Sequence, residues 1–132
     1  MAEPPTIDPE AISNLRDLGG GDGEGDGFLR EIVGIFLVDT PARLEELDQA
    51  LAAGDLVRFN RAAHSIKGSS SNLGASALQQ AADRLEAKSR ASLAGVEPEL
   101  AAVKAEFQRV RAALEQLCPP GPGLAPRPPT QR

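Results

Sequence analysis

The sequence predicts an all-α protein, an antiparallel up-down four-helix bundle with a short extra helix at its N-terminus. Apolar residues recur at spacings of three and four, which is the repeat of an amphipathic helix. Tyr and Trp, which are common in strands, are absent, and no stretch alternates apolar with polar residues for long. The chain has 132 residues, of which 41% are hydrophobic. That is enough for one core, with too little length for a second domain.

A short helix is predicted from about Pro9 to Leu18. Asp8 suits its N-cap, proline suits the first helical position, and Ile7 and Ile12 can form a hydrophobic staple. Residues 19–27 follow, with six glycines and three acidic residues. This composition predicts a mobile connection without helix or strand.

Four longer helices are predicted after this connection. The first runs from Phe28 to about Ala53, with Gly54 at its end, but Pro41 predicts a kink or a break into two helices. The second begins after Asp55, a suitable N-cap, and ends or turns within 69–74. The last two span about 75–90 and 98–117.

The chain therefore divides into three parts. Residues 1–27 hold the short helix and the acidic Gly-rich connection, and residues 28–117 form the bundle. Residues 118–132 contain six of the eleven prolines and almost no apolar side chains, so we expect a disordered tail. A polyproline ligand for a partner domain is the alternative interpretation of this tail.

Charge and cysteine content narrow the classes of function. The 14 basic and 19 acidic residues give a net charge of −5, and no run of Lys or Arg can follow a phosphate backbone, so nucleic acid is not an expected partner. No signal peptide is recognisable, and no apolar run approaches the roughly 20 residues of a membrane span. The single cysteine, Cys118, cannot form an internal disulfide. We expect a cytoplasmic protein without membrane contact.

His64 is the only histidine, so any imidazole chemistry depends on it. The helix that carries it has an apolar stripe, formed by Leu56, Phe59, Ala63 and Ile66. At about 100° per residue, His64 falls roughly 120° from the centre of this stripe and therefore points out of the core. The residues on the same side are Asn60, Arg61, Lys67, Gly68 and Ser71.

Two neighbours of His64 are suited to anion chemistry and to docking. Lys67, one turn away, can neutralise an anion on the imidazole without competing as a nucleophile. Gly68 costs about 0.8 to 1 kcal/mol inside a helix relative to Ala, and its bare backbone lets another protein approach closely. An early end of the helix is the alternative interpretation of Gly68. Arg61 and Ser71 would share the docking face.

The segment His64-Ser65-Ile66-Lys67-Gly68, followed by small residues and Leu73-Gly74, resembles the phosphoacceptor motif of histidine-containing phosphotransfer (HPt) domains. That motif reads His, any residue, a branched apolar residue, Lys, Gly, small residues and then Leu-Gly. The resemblance covers roughly residues 28–117 and is strongest over 60–85. In its motif the chain looks closest to the phosphorylatable domain of chemotaxis-type histidine kinases.

The resemblance implies a phosphocarrier of a two-component phosphorelay. His64 would accept a phosphoryl group from a sensor histidine kinase or a receiver domain and pass it to an aspartate of a response-regulator receiver. In the family, a residue about 22 positions after the histidine often bonds the proximal ring nitrogen, and here that residue is Glu86. A solvated surface residue is the alternative for Glu86. Lys67 would neutralise the phosphate, while Arg61, Arg84 and Lys88 can add positive charge.

No cofactor or metal site is expected in the chain itself, and any magnesium would come from the receiver. Asp22, Glu24, Asp26 and Gly27 match four positions of an EF-hand loop, but the twelfth position is Val33 instead of a bidentate acid.

Without zinc-ligand clusters, paired acids or an ATP-binding motif, the chain is expected to be a stoichiometric phosphotransfer intermediate and not an enzyme. The rival function is a helical adaptor that binds a signalling partner through the His64 face without phosphorylation. A monomer is expected, although the apolar seam that ends at Leu117 can also serve a dimer.

Overall fold

The computed structural model describes residues 6–18 and 25–117, and within them it contains five α-helices and no strand. The all-α prediction is confirmed, and so is the bundle with one extra N-terminal helix. The helices are α1 (Pro9–Leu18), α2 (Gly25–Ala53), α3 (Leu56–Asn72), α4 (Ser76–Lys88) and α5 (Glu97–Leu117).

Helices α2 to α5 form the bundle, and each packs against the one before it. Helix α5 also meets α2: the rings of Phe36 and Phe107 lie 5.8 Å apart, and Lys104 Nζ lies 2.8 Å from Asp48 Oδ1. Apolar side chains from all four helices close one core, because each helix presents one apolar stripe. Its largest fully buried members include Leu29, Leu47, Phe59, Ile66, Leu73, Leu78, Leu85, Val103, Phe107 and Leu114.

Helix α2 differs from its prediction at two points. It begins at Gly25, so residues 25–27, assigned to the mobile connection, are helical and the prediction is wrong for them. It also runs unbroken through Pro41, so the break into two helices is wrong. Apolar residues are buried on both sides of the proline, among them Leu29 and Leu47. Their burial on one shared stripe outweighs the roughly 3 kcal/mol that an internal proline costs.

Glycines with a left-handed backbone conformation follow the C-terminal ends of α2 and α3. Gly54 has φ 69° and Gly74 has φ 67°, a conformation that residues with a Cβ rarely adopt. In both turns the next residue donates its backbone N–H five positions back: Asp55 to the Ala50 carbonyl, and Ala75 to the Ser70 carbonyl, each at 2.9 Å. These are Schellman caps, and they reverse the chain within a few residues.

Helix α1 is seated on the turn between α3 and α4. The backbone N–H of Asp8 donates to the Gly74 carbonyl at 2.9 Å, and the Asp8 carboxylate caps α1 by accepting from the Glu10 N–H at 3.0 Å. Ile12 is buried in the common core and Ile7 packs against it. Helix α1 is therefore tied to the same end of α3 on which the motif around His64 terminates.

Replacing Gly74 by Ala should destabilise the protein more than replacing Gly54. Both changes force a left-handed φ on a residue with a Cβ, but a Cβ at Gly74 would lie only 2.7 Å from the Cβ atoms of Ala11 and Asp8, whereas at Gly54 it meets nothing within 4 Å. We expect a loss of about 1 to 3 kcal/mol for Gly74→Ala and about 1 kcal/mol for Gly54→Ala. Urea unfolding of both variants measures the difference, and equal losses would contradict the seating of α1.

Residues 1–5, 19–24 and 118–132 lie outside the described residues. The predicted Pro-rich tail and most of the predicted connection fall there. The division of the chain into three parts stays a prediction.

Candidate functional site

Helix α3 presents His64 to solvent. Asp55 caps the helix by accepting from the Arg58 N–H at 3.1 Å. The buried stripe of α3 consists of Phe59, Ala62, Ala63, Ile66 and Ser70. His64 lies off this stripe, and its side chain is 65% exposed. The ring is thus fixed on a rigid helix at a point that another protein can reach.

The buried carboxylate of Glu86 meets the inner edge of the imidazole. His64 Nδ1 lies 2.8 Å from Glu86 Oε2, and Glu86 is 8% exposed. An ionised carboxylate can only accept, so in the neutral ring the proton sits on Nδ1 and the lone pair on Nε2. The contact therefore sets the tautomer and leaves the distal nitrogen as a nucleophile facing solvent.

Lys67 joins the same carboxylate from the next turn of α3. Its Nζ lies 2.9 Å from Glu86 Oε1 and 3.2 Å from Asp83 Oδ1. Glu86 Oε1 accepts no hydrogen bond from Lys67 Nζ because the angle between them is unfavourable, so this contact is an ion pair. One ammonium group is thus held one helical turn from His64 by two acids of α4.

These contacts shift two pKa values in opposite directions. Burial raises the pKa of Glu86, but Lys67 and then His64 outweigh burial, and the net pKa lies below the ordinary 4.5. The pKa of Lys67 is raised above 10.5, first by Glu86 and then by Asp83. At neutral pH the site therefore holds a carboxylate and an ammonium.

Asn60 fastens α3 to the C-terminal end of α4. Its side-chain amide donates to the Glu86 carbonyl at 2.8 Å and to Ser89 Oγ at 3.0 Å. Ser89 is buried, and its hydroxyl donates to the same carbonyl at 3.1 Å. These hydrogen bonds fix the relative height of α3 and α4, meaning their positions along the bundle axis, and thereby place Glu86 level with His64.

A shallow groove of about 340 Å³ opens beside His64. It combines apolar and basic side chains, and Val57 is 62% exposed within it. A groove with this character suits a partner that brings both apolar and acidic groups. Its lining residues are Leu56, Val57, Asn60, Arg61, His64, Glu86 and Arg90.

The structure brings some of the predicted site residues together and separates others. His64, Lys67, Glu86 and Arg61 share one region, and Gly68 is exposed on the turn after His64. Because α3 continues to Asn72, the alternative of an early helix end at Gly68 is wrong. Ser71 lines a different groove, against α1 and α2.

Arg84 and Lys88 do not line the groove beside His64, and Lys88 Nζ is paired with Glu99 of α5 at 3.2 Å.

Three residues at the site were not predicted from the sequence: Asp83, Ser89 and Arg90. Asp83 and Ser89 lie three residues before and after Glu86, which is one turn on the same helical face. That spacing was the signal that could have identified them. Arg90, four residues after Glu86, lay within the predicted helix of about 75–90 and carried the same signal, although α4 ends before it at Lys88.

Glu86→Gln should remove part of the stabilisation that the protein loses in acid. A group whose folded pKa is depressed contributes stability that is present above its unfolded pKa, here 4.5. This stability is lost as the pH falls through the lower folded value. Urea unfolding of wild type and variant from about pH 7 down to pH 3 should show a difference that shrinks with acidification. Glu115→Gln, on the exposed Arg111 pair, is the control, and a pH-independent difference for Glu86→Gln would contradict the linkage.

Other site types find no support in the described residues. Residues 6–18 and 25–117 contain no group of three or more His, Cys, Asp or Glu able to hold a metal ion. Val33, the twelfth position of the EF-hand match, is buried. None of the helices in these two ranges is long and apolar enough to cross a membrane.

Comparisons with known proteins bear on the family and the fold of this chain. The Hpt domain family matches residues 31–117. The fold is similar to histidine-containing phosphotransfer protein B (HptB) from Pseudomonas aeruginosa, with 29% identity and a TM-score of 0.78 over 88% of this chain and 96% of that one.

It is also similar to the HPT domain of a sensor hybrid histidine kinase from Shewanella. There the identity is 19% and the TM-score 0.68 over 85% of this chain and 92% of the other, a likeness of fold. Among curated proteins none matches the sequence. Because the family match spans four of the five helices and includes the motif around His64, the chain belongs to the Hpt domain family.

Proposed function

We propose that His64 accepts a phosphoryl group and passes it on, and that this Hpt domain is the phosphocarrier of a two-component phosphorelay. The observation that carries the proposal is the 2.8 Å contact between His64 Nδ1 and the buried Glu86 carboxylate, on a ring that is 65% exposed. This contact supports an Nε2 lone pair that is available to an incoming phosphorus atom.

Charge and protons are conserved in each step of the proposed transfer. The Nε2 lone pair attacks the phosphorus of an aspartyl phosphate on a receiver domain, and an N–P bond forms. The P–O bond to the aspartate breaks, and its electron pair leaves on the aspartate carboxylate. The ring keeps its Nδ1 proton and becomes cationic, which the adjacent Glu86 carboxylate stabilises. Transfer to a receiver aspartate reverses these steps.

Lys67 has a distinct part in this proposal. Phosphoryl transfer passes through a loose transition state with its charge on the equatorial oxygens, so positioned cations lower the barrier. The Lys67 ammonium stands one turn from His64 and is held by two acids, Glu86 and Asp83. We propose that it moves toward the phosphoryl oxygens as they arrive.

The resemblance also supports finer proposals about the setting. The proposed partners are a sensor histidine kinase and a response-regulator receiver, and the chain is a stoichiometric intermediate without kinase activity of its own. A cytoplasmic monomer fits a carrier that must meet and release each partner. The glutamate at position 86 favours the likeness to chemotaxis-type domains, because the resemblance implies glutamate there in that group and glutamine in many phosphorelay members.

The experiment that tests the function is phosphorylation by purified partners. The full chain is incubated with receiver domains of the same organism, each phosphorylated by acetyl phosphate, or with its histidine kinases and ATP. We expect phosphate that is labile in acid and stable in base, mapped to His64 by mass spectrometry. Absence of label with every receiver and kinase would overturn the carrier function.

Gly68→Gln should slow transfer without weakening the fold. A Cβ at Gly68 meets nothing within 4 Å, so the protein itself has room for a side chain there. A docked receiver would not, because bare backbone lets it approach His64 closely. We expect about a tenfold lower transfer rate at unchanged thermal stability.

Gly34→Gln on α2 is the matched control, because a Cβ at Gly34 also meets nothing within 4 Å. Rapid-quench measurements with one phosphorylated receiver compare the two variants. Equal rates for Gly68→Gln and Gly34→Gln would count against docking over Gly68.

A further inference from the structure

Lys67 is held by two carboxylates, although only one of them is needed to orient the imidazole. Glu86 contacts both Lys67 and His64, and its side chain is 11% exposed. Asp83 contacts Lys67 alone among the described residues, at 3.2 Å, and its side chain is 58% exposed. Asp83 is therefore a second acid at the site, and within the described residues its side chain has a polar contact with the ammonium alone.

The two carboxylates differ in how easily they can release Lys67. Glu86 is buried and fixed by its contact with His64, so it stays in place when the phosphoryl group arrives. Asp83 is more than half exposed, and water can solvate its carboxylate once the ammonium leaves. The contact that gives way to an incoming phosphoryl group is thus the one with Asp83.

A carboxylate at this position also opposes the phosphoryl group directly. The transferred group and the cationic ring together add one negative charge to a site that already holds Glu86, Asp83 and one Lys67. Asp83 competes for the ammonium and repels the new charge, and both effects have the same sign. Each raises the free energy of phosphorylated His64 relative to the free site.

We propose that Asp83 is a positioning residue that acts through Lys67: it holds the ammonium in the free site and, by competing for it, keeps the phosphoryl group on His64 easy to pass on. The inference rests on the proposed phosphocarrier function. In this protein Asp83 prevents the carrier from becoming a sink for phosphate.

Asp83→Asn should therefore favour the phosphorylated carrier. We expect the equilibrium constant for phosphoryl exchange with one receiver to shift about two- to fivefold toward phospho-His64, the size typical of partly exposed charge pairs. Spontaneous hydrolysis of the phosphohistidine should slow in the same direction. Both differences should diminish in about 1 M salt, which screens exposed charges. Asp83→Glu should restore wild-type behaviour.

The matched control is Asp48→Asn. Asp48 forms the same kind of exposed pair, with Lys104 at 2.8 Å between α2 and α5, and its substitution changes the net charge equally. A double-mutant cycle adds two further variants. One carries Lys67→Ala alone, and the other carries Lys67→Ala together with Asp83→Asn. If Asp83 acts through Lys67, its substitution has a smaller effect when Lys67 is absent.

The outcomes separate this inference from the function on which it rests. The first case is that wild-type His64 is phosphorylated. If Asp83→Asn then leaves the exchange equilibrium unchanged, shifts it in the opposite direction, or shifts it no more than Asp48→Asn does, the role of Asp83 alone is overturned. An effect of Asp83→Asn that is equally large without Lys67 overturns action through Lys67. Failure to label wild-type His64 overturns the carrier function and this inference together.

Discussion

His64→Gln is expected to abolish phosphorylation of this Hpt domain while leaving its fold intact. His64 is the only histidine in the chain, so no second imidazole can take its place. A glutamine amide has no nucleophilic nitrogen at neutral pH, since its lone pair is delocalised into the carbonyl. The side chain is 65% exposed and contributes little to the core, so the thermal midpoint should change by no more than a few degrees.

The same variant separates the carrier from the rival adaptor. Labelling from a phosphorylated receiver should fall below detection, while titration calorimetry should still show binding of that receiver. An adaptor that needs no phosphate would instead keep full signalling activity with glutamine at position 64. Residual acid-labile label in the variant would place the phosphoacceptor elsewhere and contradict the assignment of His64.

The periodicity of the sequence was sufficient to orient His64, whereas its partner on α4 was indicated only by the resemblance to HPt domains. The stripe of α3 makes Phe59, Ala63 and Ile66 face inward, so the outward direction of His64 follows from helix geometry alone. In α4, Leu78 and Leu85 are both fully buried, and this fixes the rotation of the helix. Periodicity did not single out Glu86, which was a candidate because the resemblance to HPt domains implies a partner about 22 positions after the histidine; its Oε2 lies 2.8 Å from His64 Nδ1.

What the sequence could not supply depends on contacts between helices. Ser71 shares the helical side of His64 but lies two turns further on, where it lines a groove together with residues of α1 and α2. The pairing of Asp83 with Lys67 depends on the relative height of α3 and α4, which Asn60 fixes through Ser89 and the Glu86 carbonyl. Single-helix periodicity carries no information on that height.

The passage of α2 through Pro41 has a similar cause. A proline predicts a disturbance from local geometry, but whether the helix breaks depends on what is buried beyond it. Phe36 and Leu47 flank the proline and both lie in the core. Tertiary burial decided the outcome there, and no local signal reports it.

Lys67→Ala is expected to slow phosphoryl transfer by about ten- to a hundredfold, a smaller effect than removal of a fully buried oxyanion donor. The ammonium is the nearest cation to the His64 and Glu86 pair in the described residues, with Nζ 2.9 Å from Glu86 Oε1. Its loss removes the lysine that pairs with Glu86 and removes the ammonium that would neutralise the phosphoryl oxygens. The imidazole keeps its Nδ1 contact, so the reaction should be slowed and not abolished.

Rapid-quench kinetics with one phosphorylated receiver measure this effect, and a concentration series separates the maximal rate from receiver affinity. We expect the loss in the maximal rate, because Lys67 acts on charge that develops during transfer. Lys104→Ala is the matched control, since it removes an exposed lysine that pairs with Asp48 at 2.8 Å away from His64. A wild-type maximal rate for Lys67→Ala, or an equal loss for Lys104→Ala, would show that charge neutralisation at position 67 is not part of the mechanism.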